Sequence, residues 1–263
     1  MRGAVRRASG ALDRLVPRGN GITVLIYHRV GGGTDSSVDL PTAEFAEQMA
    51  HLSSRHRVLS LDDATAALAR GVAAPAVVVT FDDGTTDFAD NALPVLVDHR
   101  VPATLYAATH FIDQRIPFPW GAPPASWPQL AEAVASGRVT VGSHSHRHLL
   151  FDRIDWSAAS DEVTRSIDSI QRHLGAVPAH FAYPKAIPPA PATEVVVRSS
   201  FASAALAGCG ANGPGADLHR LRRTPVQRGL TLDRFEALCT GAGRFEGLVR
   251  ERTARWRYRG ATA

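Results

Sequence analysis

The run AVVVTF at residues 76–81 constrains this chain more than any other stretch. Its β-branched residues show no alternation of apolar and polar positions, so a strand built from it is buried on both faces. Such strands belong to parallel sheets covered by helices, which requires strands and helices to alternate along the chain. They do. Strands are predicted at 22–28, 58–61, 76–81, 103–109, 138–144, 180–184, 201–206 and 221–226. Helices are predicted after 61, at 42–56, 86–100, 127–137, 157–174 and 192–199, and over 231–256. This order fits a (β/α) barrel or a doubly wound sheet. No G-x-G-x-x-G follows the early strands, which weighs against a nucleotide-binding sheet.

The length of 263 residues suits one barrel, and 44% apolar with 21% charged residues describes a globular chain with a sizeable core. The net charge of +4 is unevenly placed. Residues 1–20 hold five Arg and one Asp, residues 244–263 six Arg and two Glu, so each end carries +4 and the middle −4. Cations confined to the ends, with no interleaved aromatics, argue against a nucleic-acid groove. Cys209 and Cys239 form no C-x-x-C pattern and imply neither a disulfide framework nor a thiolate metal site. No apolar run reaches the roughly 18–20 residues that cross a bilayer. The basic segment 1–20 lacks the apolar core of a secretory signal. Its Val5, Ala8, Leu12 and Leu15 share one face of a short helix, enough for weak peripheral contact with an anionic membrane at most. The expectation is a cytoplasmic protein, at most peripheral at the inner membrane face, with one domain over 21–263 behind that basic segment.

Two aspartate doublets follow apolar runs. Asp62 and Asp63 lead straight into an Ala/Leu helix, where capping and the helix dipole account for them. Asp82 and Asp83, in VTFDDGTTDF, could be read the same way. Downstream, VGSHSHRHLLF places His144 and His148 at i, i+4, on one side of a helical turn, with His146 directed elsewhere. Two imidazoles and a carboxylate supply the three protein ligands of a catalytic metal site that keeps a position for water. Both clusters fall at C-terminal ends of strands, which in a barrel is one face, and capping does not explain that coincidence. The segment QRIPFPWGAPPASWP (114–128), with five prolines, Trp120 and Trp127, reads either as a substrate-side loop or as a flap over the barrel mouth.

TFDDG (80–84), HSHRH (144–148) and FAYPK (181–185), in that order, resemble the motifs of the polysaccharide deacetylases with a NodB-homology domain, carbohydrate esterase family 4. The resemblance runs from VLIYHRV at 24–30 to about residue 226, and YHRV is most similar to the branch acting on exopolysaccharide N-acetylglucosamine polymers. It implies a distorted (β/α) barrel of fewer than eight strands and a hydrolase that removes N-acetyl groups from an amino sugar in a glycan. It also implies one divalent ion, zinc before cobalt, nickel or iron. By that resemblance Asp83, His144 and His148 hold the ion and Asp82 is the general base. Tyr183, Pro184 and Lys185 form the substrate wall, with an oxyanion donor at the Lys185 N–H, and Trp120 and Trp127 offer sugar contacts. The general acid is His28, at the end of the first strand, or His219. The chain departs from the family where many members carry an arginine that orients the base, since Ala182 stands there; Lys185 replaces an aromatic residue and Ala186 a glycine. These departures sustain a rival expectation of a catalytically impaired barrel that binds carbohydrate or scaffolds surface-polysaccharide assembly.

Overall fold

A computed structural model describes residues 21–242. Its strands are β1 (Ile22–Tyr27), β2 (Arg29–Val30), β3 (Asp39–Leu40), β4 (Ala76–Phe81), β5 (Ala103–Ala107), β6 (Val139–Ser143), β7 (His180–Ala182), β8 (Ser203–Ala207) and β9 (Leu221–Pro225). β1 and β4 to β9 close into a barrel of seven parallel strands, β9 pairing back onto β1 through Val24 and Arg223. This is the distorted barrel of fewer than eight strands expected. β2 and β3 form a two-stranded ladder beside it.

The helices are α1 (Thr42–Arg55), α2 (Leu61–Ala69), α3 (Leu93–Asp98), α4 (Thr109–Gln114), α5 (Trp127–Ala135), α6 (Trp156–Leu174), α7 (Pro191–Ser200) and α8 (Leu232–Cys239). All six residues of β4 are buried, as an unalternating apolar run requires. One side of β4 packs outward: Phe81 stacks on Tyr27 at 5.3 Å and meets Phe45 of α1 and Phe88 edge-on. The other side, with Val78, joins Val24, Tyr106, Ala182, Ala205 and Leu221 inside the barrel. Leu61, Ala64 and Leu68 of α2 belong to that inner cluster together with Ile22 and Ala76, the first residues of β1 and β4. α2 therefore plugs the N-terminal end of the barrel, and the C-terminal end is left for chemistry.

Several local expectations change. Residues 58–61 make no strand, only a bridge between Val58 and Val77. Ser60 rather than an aspartate caps α2, its hydroxyl accepting from the Asp63 N–H, while Asp62 pairs with His180 at 3.0 Å. The helix expected over 86–100 begins as a π turn at Phe88–Ala92, before Pro94 near the start of α3. The strand expected over 103–109 ends at Ala107, and α4 starts at Thr109. The basic segment 1–20 and the helix expected beyond residue 242 lie outside the described residues. Among the described residues no helix is long and apolar enough to cross a membrane.

Candidate active site

The loop that leaves β4 turns through two left-handed residues, Asp83 (φ 75°) and Gly84 (φ 90°). A non-glycine residue held there carries backbone strain of about 1–3 kcal/mol, the kind of distortion that clusters at functional sites. Asp82 and Asp83 are both buried at the C-terminal end of β4. Asp82 Oδ1 and Oδ2 accept from the two terminal nitrogens of Arg223, on β9, at 2.5 and 2.9 Å. Arg223 is fully buried, sits over the ring of Tyr106 and also reaches Thr80. Burial alone would push the Asp82 pKa up; Arg223, with lesser help from His144, outweighs it and holds the carboxyl well below the usual carboxylate range. Asp83 behaves oppositely. Burial, reinforced by repulsion from Asp82, pushes it up to about 7. Two adjacent carboxylates thus have opposite proton affinities, which separates their chemical roles.

His144 follows β6 and donates from Nδ1 to the Ala182 carbonyl at 2.7 Å, which assigns the proton to Nδ1 and leaves the Nε2 lone pair facing Asp83 Oδ1 at 3.7 Å. His148 Nε2 lies 3.6 Å from the same oxygen, and the two rings meet at 72° with centroids 4.8 Å apart. They are not on a helical turn. Residues 144–151 form an irregular loop with left-handed Ser145 (φ 65°) and His148 (φ 63°), and the Ser145 hydroxyl accepts from the His148 N–H. Burial lowers both histidines and so keeps them neutral. The donor atoms of Asp83, His144 and His148 all lie within 4.8 Å of one another. Two neutral imidazoles with free lone pairs around a buried carboxylate that resists ionisation alone fit a divalent cation. His146 turns away, its Nδ1 on the Thr109 hydroxyl at 2.9 Å and its ring against His110.

Around this cluster, His28 stands at the end of β1 with Nδ1 buried and without a hydrogen-bond partner. Burial lowers its pKa to about 4, with Asp82 pulling the other way. Lys185, in a left-handed turn after β7 (φ 54°), bears electrostatically on His28, Asp83, His144 and His148. Its ammonium lies 4.5 Å over the ring of Trp120, which stacks on Phe118 and touches His148 edge-on at 5.8 Å. The proline-rich loop reaches this rim because it is tied to the loop after β4: Thr86 N–H donates to Pro123 O and Ala125 N–H to Gly84 O.

The model of the family described as polysaccharide deacetylase matches residues 69–199, the stretch that holds Asp82, Asp83, His144, His148 and Lys185. The chain belongs to the polysaccharide deacetylase family. Its fold is shared with the structure of IcaB from Ammonifex degensii, 26% identical, over 85% of this chain and 97% of that one, at a TM-score of 0.73. The Streptococcus pyogenes deacetylase PplD, solved in complex with acetate, covers 83% of this family member and 98% of its own chain at 18% identity and a TM-score of 0.74. The BpsB deacetylase domain from Bordetella bronchiseptica covers 81% and 98% at 20% identity and a TM-score of 0.66. The last two show the deacetylase fold alone. No curated protein matches by sequence.

Three of the expected site residues lie elsewhere in this family member. Trp127 is buried at the start of α5, where its Nε1 donates to Asp113 at 2.9 Å and its ring stacks on His173, so both its polar edge and its face are engaged within the fold. The Tyr183 ring packs among Phe151 and Phe181, and its N–H is spent in the ladder to Ala205. His219 precedes β9, at the plugged end of the barrel, with Nε2 on the Phe201 carbonyl at 2.8 Å. One residue was not anticipated. Arg223 occupies the place in the chemistry that Ala182 leaves open, holding the carboxylate of Asp82 from a different strand. The available signal was an arginine in a barrel strand, which once turned inward needs an acid partner.

Proposed function

We propose that this protein is a metal-dependent deacetylase that hydrolyses the acetamide of an N-acetylated amino sugar within a polysaccharide, oligosaccharide or glycan precursor. The observation that carries the reading is the convergence of Asp83, His144 and His148 beside an Asp82 pinned by Arg223. Asp83, His144 and His148 hold a divalent ion, zinc by donor set, with cobalt, nickel or iron also suited. Bound there, such an ion supplies Lewis-acid activation of water and of the acetamide carbonyl. Asp82, kept ionised by Arg223, takes the proton of the attacking water as the carbon–oxygen bond forms. The Lys185 N–H donates to the developing oxyanion, as the family resemblance implies. His28 delivers a proton to the departing nitrogen as the carbon–nitrogen bond breaks, releasing acetate and the free amine. His28 is neutral at neutral pH. The proton it passes to the nitrogen is the one that Asp82 has taken from the water, so Asp82 returns to its ionised form and the step balances.

Trp120 and Lys185 form the rim that meets the sugar. The ring of Trp120 is already engaged by Phe118 and Lys185, so a stacked sugar displaces the ammonium. The YHRV sequence supports a substrate of the exopolysaccharide N-acetylglucosamine type. The Asp82–Arg223 pair supports a working site over an impaired scaffold, because it supplies by another route the support that Ala182 cannot. Acetate release from a panel of N-acetylated oligosaccharides tests the reading. Release is expected with divalent metal, lost with chelator, and reduced by about 10²–10⁴-fold in His28→Ala at unchanged metal content. No release from any member of the panel by the metal-loaded protein sinks it, and full activity in His28→Ala moves the acid role elsewhere.

A further inference from the structure

A second group of metal-ligand type stands outside the barrel mouth. His51 lies in the last turns of α1. At His56, the residue after that helix, the backbone becomes extended (φ −126°, ψ 152°) and returns the second imidazole beside the first, with ring centroids 5.9 Å apart. Glu236 arrives from α8, 180 positions beyond His56, and sets its Oε2 2.7 Å from the Nε2 of both rings. All three donor atoms lie within 4.8 Å of one another.

We propose that His51, His56 and Glu236 bind a second divalent transition-metal ion of the zinc class, which fastens α8 to α1. As hydrogen bonds alone, the arrangement requires both imidazoles to carry hydrogen on Nε2 and one carboxylate oxygen to receive both. An ion replaces those two hydrogens with two nitrogen lone pairs and the carboxylate, the His₂-carboxylate set that zinc accepts with water in the remaining position. Ligand atoms around a tetrahedral zinc with bonds of about 2.0–2.1 Å stand about 3.3 Å apart, so Glu236 withdraws by well under 1 Å. It is free to do so, since its side chain is 40% exposed against 15% and 13% for the two histidines. His56 also borders a surface recess with Ser53, Asp98 and His99, which gives an ion an approach from solvent. The ion's effect is structural. α8 packs against β1 and carries Phe235 and Cys239 into the outer core, and ligation at Glu236 holds that helix in place.

The test is the zinc content of the full-length chain, stripped with chelator, dialysed against Zn²⁺ and read by elemental mass spectrometry. The wild type is expected to hold two ions per chain, Glu236→Gln one, His148→Ala one, and the double variant none. In His148→Ala, where only this site remains, zinc should raise the Tm by roughly 5–10 °C at hundredfold excess over its dissociation constant. A zinc content that Glu236→Gln leaves unchanged overturns the proposal. If Glu236→Gln fails to fold, His148→Ala decides alone, one ion supporting the site and none overturning it. Loss of the active-site ion in every form, with this one retained, refutes the deacetylase chemistry and not this inference.

Discussion

Arg223 decides how Asp82 behaves. A fully buried guanidinium is tolerable only with a partner, and a buried carboxylate that must stay ionised needs the same. Each supplies the other, at 2.5 and 2.9 Å. Removing Arg223 leaves burial, which raises the Asp82 pKa, without its main opponent. Arg223→Gln should therefore move the acid limb of the kcat/KM profile to higher pH and lower kcat by on the order of 10²-fold through lost positioning. It should also cost about 3–5 kcal/mol of stability in chemical denaturation, the usual penalty for orphaning one member of a buried pair. Arg223→Lys keeps the charge and should restore part of the acid-side activity. An acid limb that stays in place in Arg223→Gln removes Asp82 from the role of base.

At the level of elements, the site is placed by the way the chain leaves its strands. The loops after β4, β6 and β7 all depart through left-handed non-glycine residues, at Asp83, at Ser145 and His148, and at Lys185 and Ala186. Tight exits of this kind fold short side chains back over the barrel mouth, where an ordinary strand-to-helix connection would carry them away. The loop after β6 also sorts its three histidines. His144 and His148 point at Asp83, and His146 is held by Thr109 on α4. His148→Ala should accordingly lose most of the active-site metal. His146→Ala should retain it and lose only about 1 kcal/mol of stability, the scale of one side-chain hydrogen bond. Metal analysis after dialysis checks both, and an empty site in His146→Ala would reverse the assignment. On the distal side, α5 shows the same control by short-range chemistry. Ser126 and Gln129 form a reciprocal capping box that starts the helix and anchors the end of the proline-rich loop.

At the scale of the whole molecule, the proposed ion would link metal binding to folding stability through Asp83. In the metal-free protein its pKa is raised from 3.8 to about 7. A raised folded pKa contributes stability that is fully present below the unfolded value and is lost as pH climbs through the folded one. The chelated protein thus gives up this contribution between about pH 4 and pH 7, on the order of 4 kcal/mol for a shift of this size. The lowered imidazoles of His144 and His148 work in the opposite sense below their ordinary value of 6.5, but they do so in the metal-loaded and metal-free forms alike when the rings are neutral. An ion at Asp83 must expel the proton, so its affinity should rise about tenfold per pH unit up to about pH 7 and then level off. The Tm difference between loaded and chelated protein should widen over the same window. A difference independent of pH between 5 and 7 would show that Asp83 is already ionised in the metal-free protein and gives up no proton to the ion.

By itself the sequence determined the alternation of strands and helices, the doubly buried β4, the capped start of α5 and the order of the two acidic and histidine clusters. Each of these is written in local spacing, because periodicity and capping record burial and hydrogen bonding among near neighbours. Tertiary structure alone decided the rest. Closure of the barrel at seven strands depends on which ends meet, and no residue spacing states that β9 returns to β1. Asp82 and Arg223 are 141 positions apart, and the sequence Arg222–Arg223 offers an arginine to either face of the strand. Only register, with Arg222 outside and Arg223 paired opposite Val24, turns one of them inward. The same holds for His219, a residue of suitable chemistry that precedes β9 at the plugged end of the barrel, away from the mouth. Side-chain type is a property of the sequence; the direction a side chain faces in a closed barrel is a property of the closure.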